Sequence, residues 1–164
     1  MKNVLLLLSL LVIGSAFAGE SPADTAKKFH DLLKANKGDA IKAALIKPGE
    51  GKFLEGDLKI LFKYADKVEK GKEDFVVVEA VEEKDCAVVI INQNKQDGKK
   101  DTDLDPMYML KQDGAWKVLT SFSTWDRDYY KLQPAQTEAF KKLEKEFLKR
   151  KHEQKNGRIP PKKK

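Results

Sequence analysis

The chain has 164 residues, 32 Lys/Arg against 26 Asp/Glu, a formal net charge of +6 and a single cysteine. The charge is uneven: from Pro134 onward there are 11 basic and 4 acidic residues, whereas 19–133 holds 20 basic and 22 acidic. The basic character therefore belongs to the C-terminal segment, which removes most of the support for reading the whole protein as a specific nucleic-acid binder. A lone cysteine, Cys86, also excludes an internal disulfide.

Residues 1–18 read as a secretory signal peptide. Lys2 is the positive start, Val4–Ile13 is apolar apart from Ser9, and Ala16-Phe17-Ala18 is a small-x-small cleavage site before Gly19. The apolar run is shorter than the roughly 20 residues that span a bilayer. The expectation is export to the periplasm or the extracellular space, with no transmembrane segment after cleavage.

Ser21-Pro22-Ala23-Asp24 has the form of a capping box with proline at the first helical position. It predicts a helix to about Asn36 with Ala26, Phe29, Leu32 and Leu33 inward, stopped by Lys37-Gly38. Asp39 is placed to cap a second helix over Ala40–Ile46, ended by Pro48-Gly49. A third helix, Gly56–Lys70, carries Leu58, Leu61, Phe62, Ala65 and Val68 as one stripe.

The period then changes from helical to alternating. Asp74–Glu82 and Cys86–Asn94 are rich in β-branched residues and joined by a short polar link, which predicts a hairpin. Lys95–Asp105 reads as a charged loop, and Pro106 is tolerable at the start of a third strand. Asp113-Gly114 is a tight-turn signal between the third strand and a fourth. With a two-residue loop, Lys111 faces Trp116, Met109 faces Val118 and Tyr108 faces Leu119; a three-residue loop would shift the pairs by one. Both faces of this hairpin are apolar, so each needs a covering layer.

Ser121–Leu132 reads as a polar-aromatic connector, either a binding edge or the link that fixes a final helix. That helix is predicted from Pro134 to His152, with Ala139, Phe140, Leu143, Phe147 and Leu148 as its apolar stripe and docking ending near Leu148. The tail 155–164 is basic and proline-containing, with no means of burying surface, and is expected to be disordered.

Three helices, an antiparallel meander and a last hairpin reading Leu110-Lys111-Gln112-Asp113-Gly114-Ala115-Trp116-Lys117-Val118 resemble the nuclear transport factor 2-like superfamily, also called cystatin-like α+β. The opening helix followed by Gly38-Asp39 and a second helix looks like its small bacterial exported members, many without an assigned function. The likeness covers about 21–122. It implies an α+β fold in which N-terminal helices pack on a curved antiparallel four-stranded sheet, forming a cone with a pocket at its open end. Members include dehydratases, ketosteroid isomerases and plain binding modules, so the fold does not decide the function. The helix after Pro134 is additional to that pattern. The domain layout expected is 1–18 signal, 19–133 body, 134–154 helix and 155–164 tail.

Candidate sites are few. His30 is the only histidine before the final helix, and its helical neighbours Ala26, Lys27, Leu33 and Lys34 include no acid to orient it. No catalytic residue is assigned. Phe75, Tyr108 and Trp116 are candidates to line a pocket, although aromatics at sheet positions more often serve as plain core. Asp101–Asp105 resembles the start of a calcium loop, but Pro106 stands where glycine is needed and Gln112 where the bidentate glutamate belongs. Cys86, within a strand-like run, reads as a buried inert thiol. Lys149, Arg150, Lys151, Lys155 and Arg158 are candidates for an anion-binding arm.

The functional expectation is an exported, non-catalytic domain that binds a small ligand or a partner protein, with no cofactor and no metal. Two alternatives stand beside it: a small isomerase or dehydratase using the cone, and anionic-surface binding through the basic arm. A homodimer is left open.

Overall fold

A computed structural model describes residues 19–49, 55–95, 103–121 and 123–156. The expected signal peptide, most of the 95–105 loop and the tail beyond Asn156 lie outside the described residues.

Helix α1 is Pro22–Lys34. Its start follows the capping signal: Ser21 Oγ accepts the Asp24 backbone N–H at 3.2 Å and donates to Asp24 Oδ2 at 2.7 Å. Helix α2 is Gly38–Ala43, and its N-cap is Lys37, which makes no side-chain cap bond. The sequence predicts this helix over Ala40–Ile46 with Asp39 as its cap; the structure corrects both points. Leu45 and Ile46 leave the helix because a sheet edge competes for their backbone groups. Ile46 N–H donates to the Val118 carbonyl at 2.8 Å, and Val118 N–H donates to the Ala44 carbonyl at 3.0 Å. Helix α3 is Glu55–Glu69, with Leu61, Ala65 and Val68 buried.

The sheet has the order β1-β2-β3-β4, all antiparallel: β1 Glu73–Glu83, β2 Cys86–Lys95, β3 Leu104–Gln112 and β4 Ala115–Val118. The last hairpin takes the two-residue register, pairing Gln112 with Ala115, Lys111 with Trp116 and Met109 with Val118. Asp113 and Gly114 both have positive φ, 52° and 77°, as such a loop requires. Strand β1 contains a bulge between Val77 and Glu79.

Each sheet face has its own apolar layer. On the inner face Phe75, Val89, Ile91, Met107, Met109, Trp116 and Val118 pack with Ala26, Phe29, Leu33, Ile41, Leu61 and Ala65 of α1–α3. On the outer face Val88, Ile90, Tyr108, Leu110 and Leu119 pack with Phe140, Leu143 and Phe147. Those three belong to α5, Pro134–Lys155, which is three residues longer than the sequence suggested. Burying this many large side chains on both faces supplies the main driving force for the fold, at about 1.5–3 kcal/mol each. The architecture is thus α+β, with N-terminal helices on a curved four-stranded antiparallel sheet and a C-terminal helix on the other side.

Two details of α5 differ from expectation. Leu148 is 55% exposed and lies off the stripe. Docking also continues past it, because Arg150 reaches Glu79 of β1 and Glu153 of its own helix, each at 3.3 Å. The connector before α5 forms a short helix, α4, Arg127–Tyr130, capped by Asp126. Tyr130 and Leu132 enter the outer core, and Trp125 stacks on Phe140 at 5.7 Å. The connector is therefore a packed link.

Candidate functional site

The inner face is apolar along most of its length and turns polar at one end. Alternation along β1 puts Glu73, Phe75 and Val77 on that face. Their partners on β2 are Lys95, Gln93 and Ile91, and Ile91 in turn pairs with Asp105 of β3. Glu73, Gln93 and Asp105 thus end the apolar layer.

A groove of about 290 Å³ opens there. Asp57, Ile60, Leu61 and Tyr64 of α3 form one wall, and Glu73 and Gln93 form the sheet side. Thr120, Ser121 and Ser123, from the turn after β4, complete the lining. Three tethers hold these walls. Tyr129 of α4 donates its hydroxyl to Asp57 Oδ2, Ser121 N–H donates to the Tyr130 hydroxyl at 3.1 Å, and Lys67 Nζ meets Glu73 Oε1 at 2.5 Å. Burial raises the Tyr64 phenol above the ordinary range, and the neighbouring carboxylates of Glu73, Asp74 and Asp105 add to the effect. Ile60 leaves 72% of its surface exposed beside these groups.

The aromatic candidates do not meet in this groove. Phe75 and Trp116, each 3% exposed, are inner-layer core. Tyr108 is on the outer face, edge-on to Phe140 at 5.8 Å. All three are enclosed by packing rather than facing an open space.

His30 does have an acid, which its own helix could not reveal. Its Nε2 contacts Asp74 Oδ1, and its ring lies 4.4 Å from Phe75. Lys34 Nζ stands 3.9 Å from the same oxygen. His30 is not among the residues lining the groove.

Of the basic candidates, Lys149 is exposed, Arg150 is turned to Glu79, and Lys151 Nζ lies 5.7 Å from the Phe147 ring centre. Lys155 Nζ comes to 4.0 Å from Asp103 Oδ1, and Arg158 lies outside the described residues. Cys86 is buried, and its thiol is pushed up to about 12 by that burial, with smaller contributions from Asp85 and Glu83. Among the described residues no three His, Cys, Asp or Glu side chains are grouped to hold a metal ion, and no helix is long and apolar enough to cross a membrane.

These features define an α+β domain with a polar-ended groove between a helix and a sheet. No family model matches the chain, and no curated protein matches it. Among solved structures, one from Campylobacter jejuni described as an NTF2-like transpeptidase is similar to it. The match covers 61% of this chain and 98% of that one, at 20% identity and a TM-score of 0.42.

Proposed function

We propose that this chain is an exported, non-catalytic binding domain of the nuclear transport factor 2-like superfamily, and that its ligand enters the groove between α3 and the end of the sheet. The observation that carries the reading is the lining itself. Hydroxyls, an amide and two carboxylates converge beside an exposed aliphatic side chain, on walls fixed by the Tyr129–Asp57 and Lys67–Glu73 contacts. A site of about 300 Å³ is at the small end of ligand pockets, which points to a small molecule rather than a protein segment. Element order and the 110–118 hairpin support the superfamily assignment. Amide chemical-shift mapping of the labelled protein against a set of small fragments tests the site. The reading expects saturable shifts at Tyr64, Gln93 and Ser123, and shifts confined to other surfaces would remove it.

Export rests on 1–18 alone. Expression with the leader intact should yield secreted material whose mass corresponds to a chain beginning at Gly19. Retention of Met1 would sink the export reading.

A second reading, a small isomerase or dehydratase, draws on the His30–Asp74 pair, since an imidazole oriented by a carboxylate is a ready general base. For that role the ring must reach a ligand, and His30 stands outside the groove lining. Saturating a groove ligand while following the His30 ring signals by NMR separates the two: no change favours simple binding.

A further inference from the structure

We infer that the groove takes a small organic cation, an amine or guanidinium carrying a short hydrocarbon portion. The inference rests on the reading of the groove as a ligand site and goes on to specify the chemistry it selects. Asp57 and Glu73 contribute two formal negative charges to the lining, Lys67 offsets one of them through its bond to Glu73, and no Lys, Arg or His is among the described lining residues. Asp105 adds a third carboxylate on the same sheet face. A carboxylate or phosphate ligand would enter a net negative field in which Lys67 is already paired with Glu73, and losing its hydration there is unfavourable.

The carboxylates are held but not used up. Tyr129 takes Asp57 Oδ2 and Lys67 takes Glu73 Oε1, which leaves one oxygen of each carboxylate outside these bonds. Burial raises the Tyr64 phenol, and the carboxylates of Glu73, Asp74 and Asp105 add to that rise. Among the described residues no three His, Cys, Asp or Glu side chains are grouped to supply the charged ligands of a bare metal ion. An organic cation needs no such shell. Its charged end can accept hydrogen bonds from none of the lining but can donate to Asp57, Glu73 and the hydroxyls. Its hydrocarbon portion has Ile60 to cover, which is 72% exposed.

The test uses the purified labelled protein at about 0.15 M salt, where diffuse surface attraction is screened. Three probes of one size and different charge are titrated: butylammonium, butanol and butyrate. The expected result is saturable shifts at Tyr64, Gln93 and Ser123 with butylammonium, at least about tenfold tighter than with the other two. Asp57→Asn and Glu73→Gln should each weaken butylammonium by about tenfold or more. Both keep an oxygen acceptor for Tyr129 or Lys67, and unchanged thermal melting shows that the walls are intact. Equal binding of butanol or butyrate in the groove, or butylammonium binding unaltered in both variants, overturns the cation inference and leaves the groove as a ligand site. Failure of all three probes to move any groove residue overturns both.

Discussion

His30 Nε2 rests against Asp74 Oδ1, joining α1 to the start of β1 across 44 positions of sequence. The same oxygen accepts the Phe75 backbone N–H at 2.9 Å. One carboxylate therefore ties a helix to an edge strand and satisfies a backbone donor of that strand.

This link should appear as energetic coupling. In a double-mutant cycle of His30→Ala and Asp74→Ala, the interaction energy is expected to be about 0.5–1.5 kcal/mol, limited by solvent because the Asp74 side chain is 42% exposed. Additive losses, measured by urea unfolding, would show that the two elements are held together by apolar packing alone.

Trp116→Ala should lower stability by about 3–5 kcal/mol, since Trp116 is 3% exposed in the inner layer with Met109 and Val118. A loss below about 1 kcal/mol in the same assay would place the indole at the surface.

Thr25 is fully buried on α1, and its hydroxyl has no hydrogen-bond partner among the described residues. Valine has the same shape without the unsatisfied group. Thr25→Val should leave stability equal or raise it by about 1 kcal/mol. A loss of more than about 1 kcal/mol would mean that the hydroxyl is in fact satisfied.

A Cβ on Gly49 would meet Lys131 Cγ at 1.9 Å, while Gly49 N–H donates to the Tyr129 carbonyl at 2.9 Å. Lys131 is itself in the left-handed region, φ 52°, and closes α4. Gly49→Ala should cost about 1–3 kcal/mol and loosen the connector that bears Tyr129. Any groove ligand should then bind more weakly, and wild-type affinity in this variant would show that the wall does not depend on this contact.

Alkali should unfold the protein through its buried acids. In the unfolded chain the thiol ionises from about pH 8.5 and phenols from about pH 10. In the fold Cys86 is pushed up to about 12, and burial raises Tyr64 and Tyr108 as well. A group with a raised pKa contributes its full stability below the unfolded value and loses it as pH climbs to the folded one. The urea midpoint should hold between about pH 7 and 8 and fall steadily above about pH 9. At pH 8 iodoacetamide should modify Cys86 slowly in the native protein and quickly in denaturant. Equal rates would show an open thiol.

The hairpin was legible because Asp113-Gly114 and the alternation around it fix one register locally. Helices α1 and α3 were legible for the same reason: caps and apolar spacing are short-range signals. What escaped was decided by distant partners. Leu45 and Ile46 look helical until Val118 offers a strand edge. His30 has no acid at i±3 or i±4 on its helix and finds one on β1. Arg150 reads as a free charge and meets Glu79, 71 positions upstream. The groove was hidden for a further reason. Asp57, Tyr64, Glu73, Gln93 and Ser123 come from four elements, and nothing in their individual contexts marks them, whereas the aromatics that did stand out fill the core.

The bulge at Val77–Glu79 splits β1 into two phases. Before it the odd-numbered residues Phe75 and Val77 look toward α1 and α3; after it the even-numbered Ala80 does, and Glu79 is released toward α5 and Arg150. Val78 and Glu79 therefore both face α5, and removing Val78 would restore regular alternation with every other residue of β1 keeping its layer. Phe75 would stay on the inner side, and Glu73 would stay at the groove. A strand one residue shorter, without the bulge, could keep its pairing partner and still present its ligand-facing carboxylate to the same side of the protein; what it would lose is the apolar contact of Val78 beside the Glu79–Arg150 pair. An extra or missing residue in β1 leaves the groove intact where a bulge is gained or lost with it, and removes Glu73 from the groove where the ladder stays regular and the strand is turned over.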